Sequence, residues 1–310
     1  MRDDAAPLLG QAIADALGMP FETLLADDPV LKGWDGVTYL PSEHHHLRPG
    51  QWTDDTMMAK LLAESLSQRG HYDPEDVSQR YLAWYRSGCL RGIGGATKKA
   101  LAALEAGKDW STSGVEEAQG NGTAMRAVPL GVYFRDHVST LIEAAVIDAH
   151  ITHRSEEAAQ GSVAIALAAA YLSRSGPKQH LPEAISGRLK DGPIKLGVLK
   201  CEFYLRAGGV SVAEALRVIG TRAHVLETVP AALAAFLLTD SYLEAVQAAI
   251  RAGGDTDTTA AIAGALAGIY YGREGIPPRF LKGLESIDSF YQLDFQLQHR
   301  PGSKFSSAEE

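Results

Sequence analysis

Apolar side chains recur along most of this chain at three- and four-residue spacing. Met57, Met58, Leu61, Leu62 and Leu66 mark one face of a helix, because residues three and four apart share a side of a 3.6-residue turn. Comparable patterns run through residues 156–172, 212–219, 231–238 and 242–250. A further helix is predicted over residues 10–18, ended by Gly18 with Pro20 just beyond it. Alanine, the best helix former, is abundant throughout. Alternation of β-branched and polar residues is nearly absent, and the short stretch 37–40 is the best strand candidate. The predicted fold class is all-α.

Residues 173–193 (SRSGPKQHLPEAISGRLKDGP) form the most loop-like internal stretch. They read as a loop or insertion within one domain, because the candidate chemistry draws on residues from both sides. One domain is expected over residues 1–298, with 299–310 an aperiodic, mobile tail. At 310 residues and 45% hydrophobic content, the chain can bury a large core without disulfides or structural metal. Lys and Arg number 29 against 38 Asp and Glu, a net charge of −9. This argues against broad binding to nucleic acid or anionic membranes, but leaves room for a small anion held by backbone amides. Cys89 and Cys201 are the two cysteines, with no CxxC pair, so a disulfide framework or thiolate zinc site is not expected. The start MRDDAAPLLG has acids where a signal peptide has a basic region. The small-apolar run 260–271 is too short to span a bilayer. A cytoplasmic monomer is expected.

Two clusters carry the candidate chemistry. Thr53-Asp54-Asp55-Thr56 opens the Met57 helix, and Gly253-Gly254-Asp255-Thr256-Asp257-Thr258 precedes another helical run. Asp and Thr are good N-caps and complement the helix dipole, yet capping accounts for one Asp per helix and each cluster has two. Four carboxylates brought together would repel and drive some to protonate. Two divalent cations would balance them. An all-oxygen donor set suits Mg²⁺ or Mn²⁺ rather than zinc.

Gly120-Asn121-Gly122-Thr123-Ala124-Met125-Arg126 precedes an apolar stretch. Glycines there would let backbone N–H groups approach a phosphate, and an ordinary Gly-Asn turn is the competing reading. Arg91-Gly92-Ile93-Gly94-Gly95 is a second turn with the same ambiguity. Asp15 lies in the apolar helix 10–18, where a buried carboxyl needs a partner; Glu22 lies just beyond. His44-His45-His46 reads as a solvated loop, since three adjacent side chains cannot all face one ion. His150 and His153 read as core or capping histidines.

Taken together, GQAIADALGMPFE, WTDDTMMA, GNGTAMRAVPLG, HITHRSEEAAQGSVAIA and GGDTDTTAAIAGALAGIYYG resemble the ADP-ribosylglycohydrolase family, in family order from Gly10 to Gly272. The resemblance implies a compact all-α domain with a dinuclear Mg²⁺ or Mn²⁺ centre. It puts Thr53, Asp54 and Asp55 on the metals from one side, and Asp255, Asp257 and Thr258 from the other. Glu22 matches a glutamate that closes over the metals and is implicated in catalysis. Gly120, Asn121, Gly122 and Met125 fall on the loop that holds the diphosphate and ribose of ADP-ribose, and His153 on a ligand contact. Ala14 stands where the family usually has glycine, and Ser155-Glu156 where a proline is often seen; neither change removes a metal ligand. The expected activity is removal of ADP-ribose from a modified protein side chain or a small ADP-ribosyl conjugate, at the anomeric carbon of the distal ribose. Glu22, or Asp55 where its second oxygen is free, would manage the proton. The competing readings are a two-metal phosphohydrolase acting on a nucleotide pyrophosphate and a non-catalytic ADP-ribose-binding protein.

Overall fold

Helix boundaries in this chain follow its polar punctuation. Ser155, Ser211 and Ser241 each turn a side-chain oxygen onto the backbone N–H three residues on, satisfying a donor that no helical carbonyl can reach. Gly70 ends the helix Asp54–Arg69 in the left-handed conformation. The computed structural model describes residues 4–299; residues 300–310, which make up most of the predicted tail, lie outside the described residues. Within that range there are sixteen α-helices and a single ladder of two two-residue strands, Val115–Glu116 and His153–Arg154, paired in parallel. The all-α expectation holds.

Four helices form the centre because they are apolar on nearly every side. They are Pro7–Gly18, Glu156–Ser173, Val225–Leu237 and Thr256–Tyr271, each buried along most of its length. Pro7–Gly18 and Thr256–Tyr271 lie against each other through small residues. A Cβ on Gly10 would sit 2.5 Å from the Gly264 carbonyl oxygen, and one on Gly264 would sit 2.5 Å from the Ala14 methyl. Ala14 is thus the spacer in this contact. Tyr242 seals it, its hydroxyl donating to the Gly10 carbonyl at 2.7 Å. More amphipathic helices, such as Pro74–Ser87 and Tyr242–Arg251, surround this centre with one face buried. Among the described residues, no helix is long and apolar enough to cross a membrane.

Three local expectations need correction. Residues 37–40 form no strand. Asp35 accepts the N–H groups of Val37 and Thr38, and the Thr38 carbonyl accepts Trp34 Nε1, so side chains take the bonds a neighbouring strand would have made. The stretch 173–193 contains the short helix Leu181–Ser186, whose Leu181 and Ile185 reach the core; six residues are too few to show a helical period. The helix predicted from 231 begins at Val225 and carries Pro230 inside it. Burial on all sides of this helix outweighs the one backbone bond that proline removes.

Candidate active site

A helix start normally consumes its own acidic residues as caps, and here it does not. Thr53, at the N-cap of Asp54–Arg69, makes no capping bond. The fully buried Asp15, from the first helix, serves instead. Its carboxylate accepts from the Thr53 and Thr56 backbone N–H groups at 3.1 Å and from the Thr56 hydroxyl at 2.6 Å. Asp54 and Asp55 are therefore free to face the cavity beside this helix end. Gln11, one turn before Asp15, donates to the backbone carbonyls of Asp55 and Met125, tying the first helix to both the carboxylate segment and the glycine loop.

The second cluster is built the same way. Asp255, at the N-cap of Thr256–Tyr271, makes no capping bond. Its carboxylate accepts from the Asn121 side-chain amide, which also donates to Thr228. Thr258 Oγ1 lies 3.3 Å from Asp55 Oδ2, joining the clusters across some two hundred residues of sequence. The loop after the first helix is laced to the same place: Thr23 donates to the Gly254 carbonyl and Gly254 to the Leu24 carbonyl, both at 2.7 Å. That lacing sets Glu22 beside Asp255 and Asp257, with carboxylate oxygens of all three within 4.8 Å of one another.

Gly120, Gly122 and Met125 line the same cavity with His153. A Cβ on Gly120 or Gly122 would lie 3.1 or 3.0 Å from the His153 ring, so a larger residue at either position would press on the imidazole. His153 extends from the end of Val138–Thr152 in the short parallel ladder. Behind it Arg126 is fully buried, with Nε 2.7 Å from Asp148 Oδ2 and the guanidinium over the Tyr81 ring. Burial and the Arg126 charge push the His153 pKa down to about 3, so the ring is neutral.

The electrostatics are one-sided. Burial, then the neighbouring Asp15 charge, pushes the Asp54 pKa up to about 7. Burial raises Asp55 and Asp257 well above the usual carboxylate range, reinforced at Asp55 by Asp15, Asp54 and Asp255 and at Asp257 by Glu22, Asp55 and Asp255. Asp255 is raised by burial too, against the hydrogen bonds it accepts. Thr53 Oγ1 lies 3.0 Å from both Asp15 and Asp55, yet a hydroxyl has one proton to give. Asp55 Oδ1 is buried with no hydrogen bond. A bare oxygen and unbalanced charge in a carboxylate and hydroxyl donor set are what a hard divalent cation requires, so these residues fit such an ion.

Eleven of the twelve residues singled out in the sequence line this one cavity: Glu22, Asp54, Asp55, Gly120, Asn121, Gly122, Met125, His153, Asp255, Asp257 and Thr258. Thr53 stands just behind the wall. Gly92, where a Cβ would lie 3.0 Å from Thr53, lines the cavity with Gly94, Gly95 and Thr97, so the second glycine turn borders the same cavity. The histidine tract is not simply solvated. His45 is half-buried beside Glu22, its Nε2 2.5 Å from Glu22 Oε2 and 3.9 Å from Asp257 Oδ2, while His44 and His46 are exposed. Burial works against charge on that ring, but the adjacent Glu22 carboxylate outweighs it and raises the His45 pKa. Only the folding back of the 22–25 loop reveals this contact; three consecutive histidines carry no signal for it.

A wholly helical scaffold that gathers two DT-rich helix starts around a glycine-lined cavity defines a class of hydrolase. The ADP-ribosylglycohydrolase family model matches residues 5–303, and the chain belongs to that family. Its activity is accordingly hydrolytic removal of ADP-ribose from acceptors. The chain is 31% identical to an uncharacterised protein of Archaeoglobus fulgidus, covering 94% of each. It is 30% identical to the ADP-ribosylarginine hydrolase Tri1 of Pseudomonas putida, covering 94% of this chain and 77% of that one. A solved structure described as an ADP-ribosylglycohydrolase-related protein complex superposes with a TM-score of 0.76 at 33% identity, covering 94% and 95% of the two chains.

Proposed function

We propose that this chain is a divalent-metal-dependent ADP-ribosylhydrolase, acting on an ADP-ribosylated protein side chain or a small ADP-ribosyl conjugate. The bond cleaved is at the anomeric carbon of the distal ribose. The observation that carries this reading is the cavity itself, lined together by buried carboxylates, glycines and a neutral imidazole. A pyrophosphate bound against the glycines and the imidazole would leave the sugar end for the carboxylates. The residues act as one domain over 1–298, as a monomer in the cytoplasm.

Asp54, Asp55, Asp255 and Asp257, with Thr53 and Thr258, would hold two cations, Mg²⁺ or Mn²⁺. Bound cations would neutralise the carboxylates, orient the ribose hydroxyls and supply a water nucleophile at neutral pH. Gly120, Gly122, Met125 and His153 hold the diphosphate and ribose so that the anomeric carbon meets the acids. Asn121 takes part by holding Asp255 in place. Cleavage develops positive charge on the sugar ring. Glu22 transfers the proton between water and leaving group, and Asp55, whose Oδ1 is unpartnered, is the second candidate for that role.

The test is product analysis on a panel of defined ADP-ribosyl linkages, arginine and serine included, with Mg²⁺, with Mn²⁺ and with chelator. Free ADP-ribose formed only with metal is the expected result. AMP plus ribose phosphate would instead assign the carboxylates to pyrophosphate cleavage. ADP-ribose binding without turnover of any linkage would make the chain a binding protein.

A further inference from the structure

His153 Nε2 faces the Gly120–Gly122 loop and the cavity and makes no hydrogen bond among the described residues, whereas Nδ1 lies 2.8 Å from the Thr152 hydroxyl. That hydroxyl has one other partner, Arg126 Nη1, at 2.9 Å. A guanidinium only donates, so Thr152 Oγ1 accepts from Arg126 and keeps its single proton for another acceptor. Nδ1 is the acceptor within reach. A neutral imidazole that accepts at Nδ1 carries its proton on Nε2. We propose that Arg126 and Thr152 are positioning residues that lock His153 in the Nε2–H tautomer, so that the cavity wall presents a hydrogen-bond donor to the diphosphate or ribose oxygens of ADP-ribose.

The clamp behind Thr152 is rigid. Arg126 is fully buried and also donates to the Gly122 carbonyl at 2.8 Å, to Asp148 Oδ2 at 2.7 Å and to the Asp148 carbonyl at 2.6 Å. One guanidinium therefore holds three things in register: the glycine loop, the end of the Val138–Thr152 helix and, through Thr152, the imidazole. The ring is neutral for the reason given above, burial beside a permanent cation, so it binds oxygen by donation rather than by net charge. A donor without net charge suits a cavity that also holds a carboxylate wall, because it attracts a phosphate oxygen without forming an ion pair with Asp or Glu. The alternative tautomer would aim a lone pair at the anion and repel it. This assignment rests on the reading of the cavity as an ADP-ribose site, but the tautomer itself does not.

Isotope-labelled histidine in the full chain, in Mg²⁺ and without ligand, distinguishes protonated from unprotonated ring nitrogens by their shifts, with His153→Gln identifying the resonances. The expected result is a protonated Nε2 and an unprotonated, accepting Nδ1 at His153. A proton on Nδ1, or rapid exchange between both tautomers, overturns the proposal in the wild-type protein whatever the variants do. Thr152→Val should let the ring sample both tautomers and weaken ADP-ribose binding about tenfold, the worth of one hydrogen bond. Thr152→Ser keeps the hydroxyl and should restore both the spectrum and the affinity to within about twofold. Wild-type affinity in a folded Thr152→Val protein whose tautomer has shifted would show that the donor plays no part in binding. Absence of ADP-ribose binding in the wild type would overturn the functional reading instead, leaving the tautomer measurement intact.

Discussion

Two regions of this protein bury charged groups, and they do so in opposite ways. Around Asp148, a carboxylate and the Arg126 guanidinium are both fully buried, and five of the bonds they make are internal to the protein. Around Asp54, Asp55, Asp255 and Asp257, four buried carboxylates have no Lys or Arg partner within ion-pair distance among the described residues, and Asp55 Oδ1 is left bare. The first region is complete as it stands. The second is complete only with something added, because uncompensated buried charge is expensive and orphaned oxygens need a partner. Asp15 shows the boundary between the two: it is as buried as the site carboxylates, but its oxygens are occupied by Thr53 and Thr56, and its pKa rises only to about 6. Burial alone does not distinguish the two regions; a bare oxygen and the lack of a counter-charge do.

Neutralising one side of this comparison should have the largest effect on turnover. Asp257→Asn removes a site charge at nearly constant shape, so it should lower ADP-ribose release by about a thousandfold or more, since even outer-sphere partners of a metal are worth ten- to a hundredfold. In chelator the same variant should melt higher than wild type, because repulsion is relieved. Equal turnover, with equal stabilisation by added metal, would reduce Asp257 to a helix-start residue that binds nothing.

On the other side, Asp148→Asn leaves the buried Arg126 without its counter-charge. Unfolding free energy should fall by about 3–5 kcal/mol, in chelator and in metal alike, as read from denaturant titration. A loss confined to the metal-loaded protein would mean that Arg126 and Asp148 belong to the site rather than to its support.

A smaller effect should appear in pH dependence. The raised carboxyls bind protons more tightly folded than unfolded, so from about pH 4 to about pH 7 the folded state carries the extra protons. Stability then decreases as pH rises through the folded pKa of about 7 at Asp54 and levels off above it. Metal binding requires the deprotonated forms, so with Mg²⁺ or Mn²⁺ the trend should reverse. Asp294, buried at the start of the first helix and also raised to about 7, contributes the same apo slope without responding to metal. Melting temperatures between pH 5 and pH 8 with Asp294→Asn, in chelator and in metal, separate the two sources. An apo slope abolished by Asp294→Asn would show that the site carboxylates do not titrate in this range.

The helical fold was readable because a 3.6-residue period repeats over many turns, and Leu, Met and Ala positions along 57–66 or 242–250 leave little choice of structure. The two DT clusters were readable as exceptional because a helix start needs one cap and each had two acids. The failures were local and have one cause. Residues 37–40, helix Leu181–Ser186 and the segment ahead of Pro230 are short, and their structure is set by side-chain bonds or by packing rather than by a periodic pattern. The site divides along the same line. Residue type alone singled out the clustered carboxylates and the glycine loop, since chemistry is carried by side chains. That Asp15 would cap a helix from another part of the chain, that His45 would meet Glu22, and that Arg126 would orient His153 through Thr152 are contacts between distant segments. Sequence spacing carries no distance across such gaps; packing such as the close approach of Gly10 to Gly264 and the lacing of residues 23–24 onto Gly254 decides them.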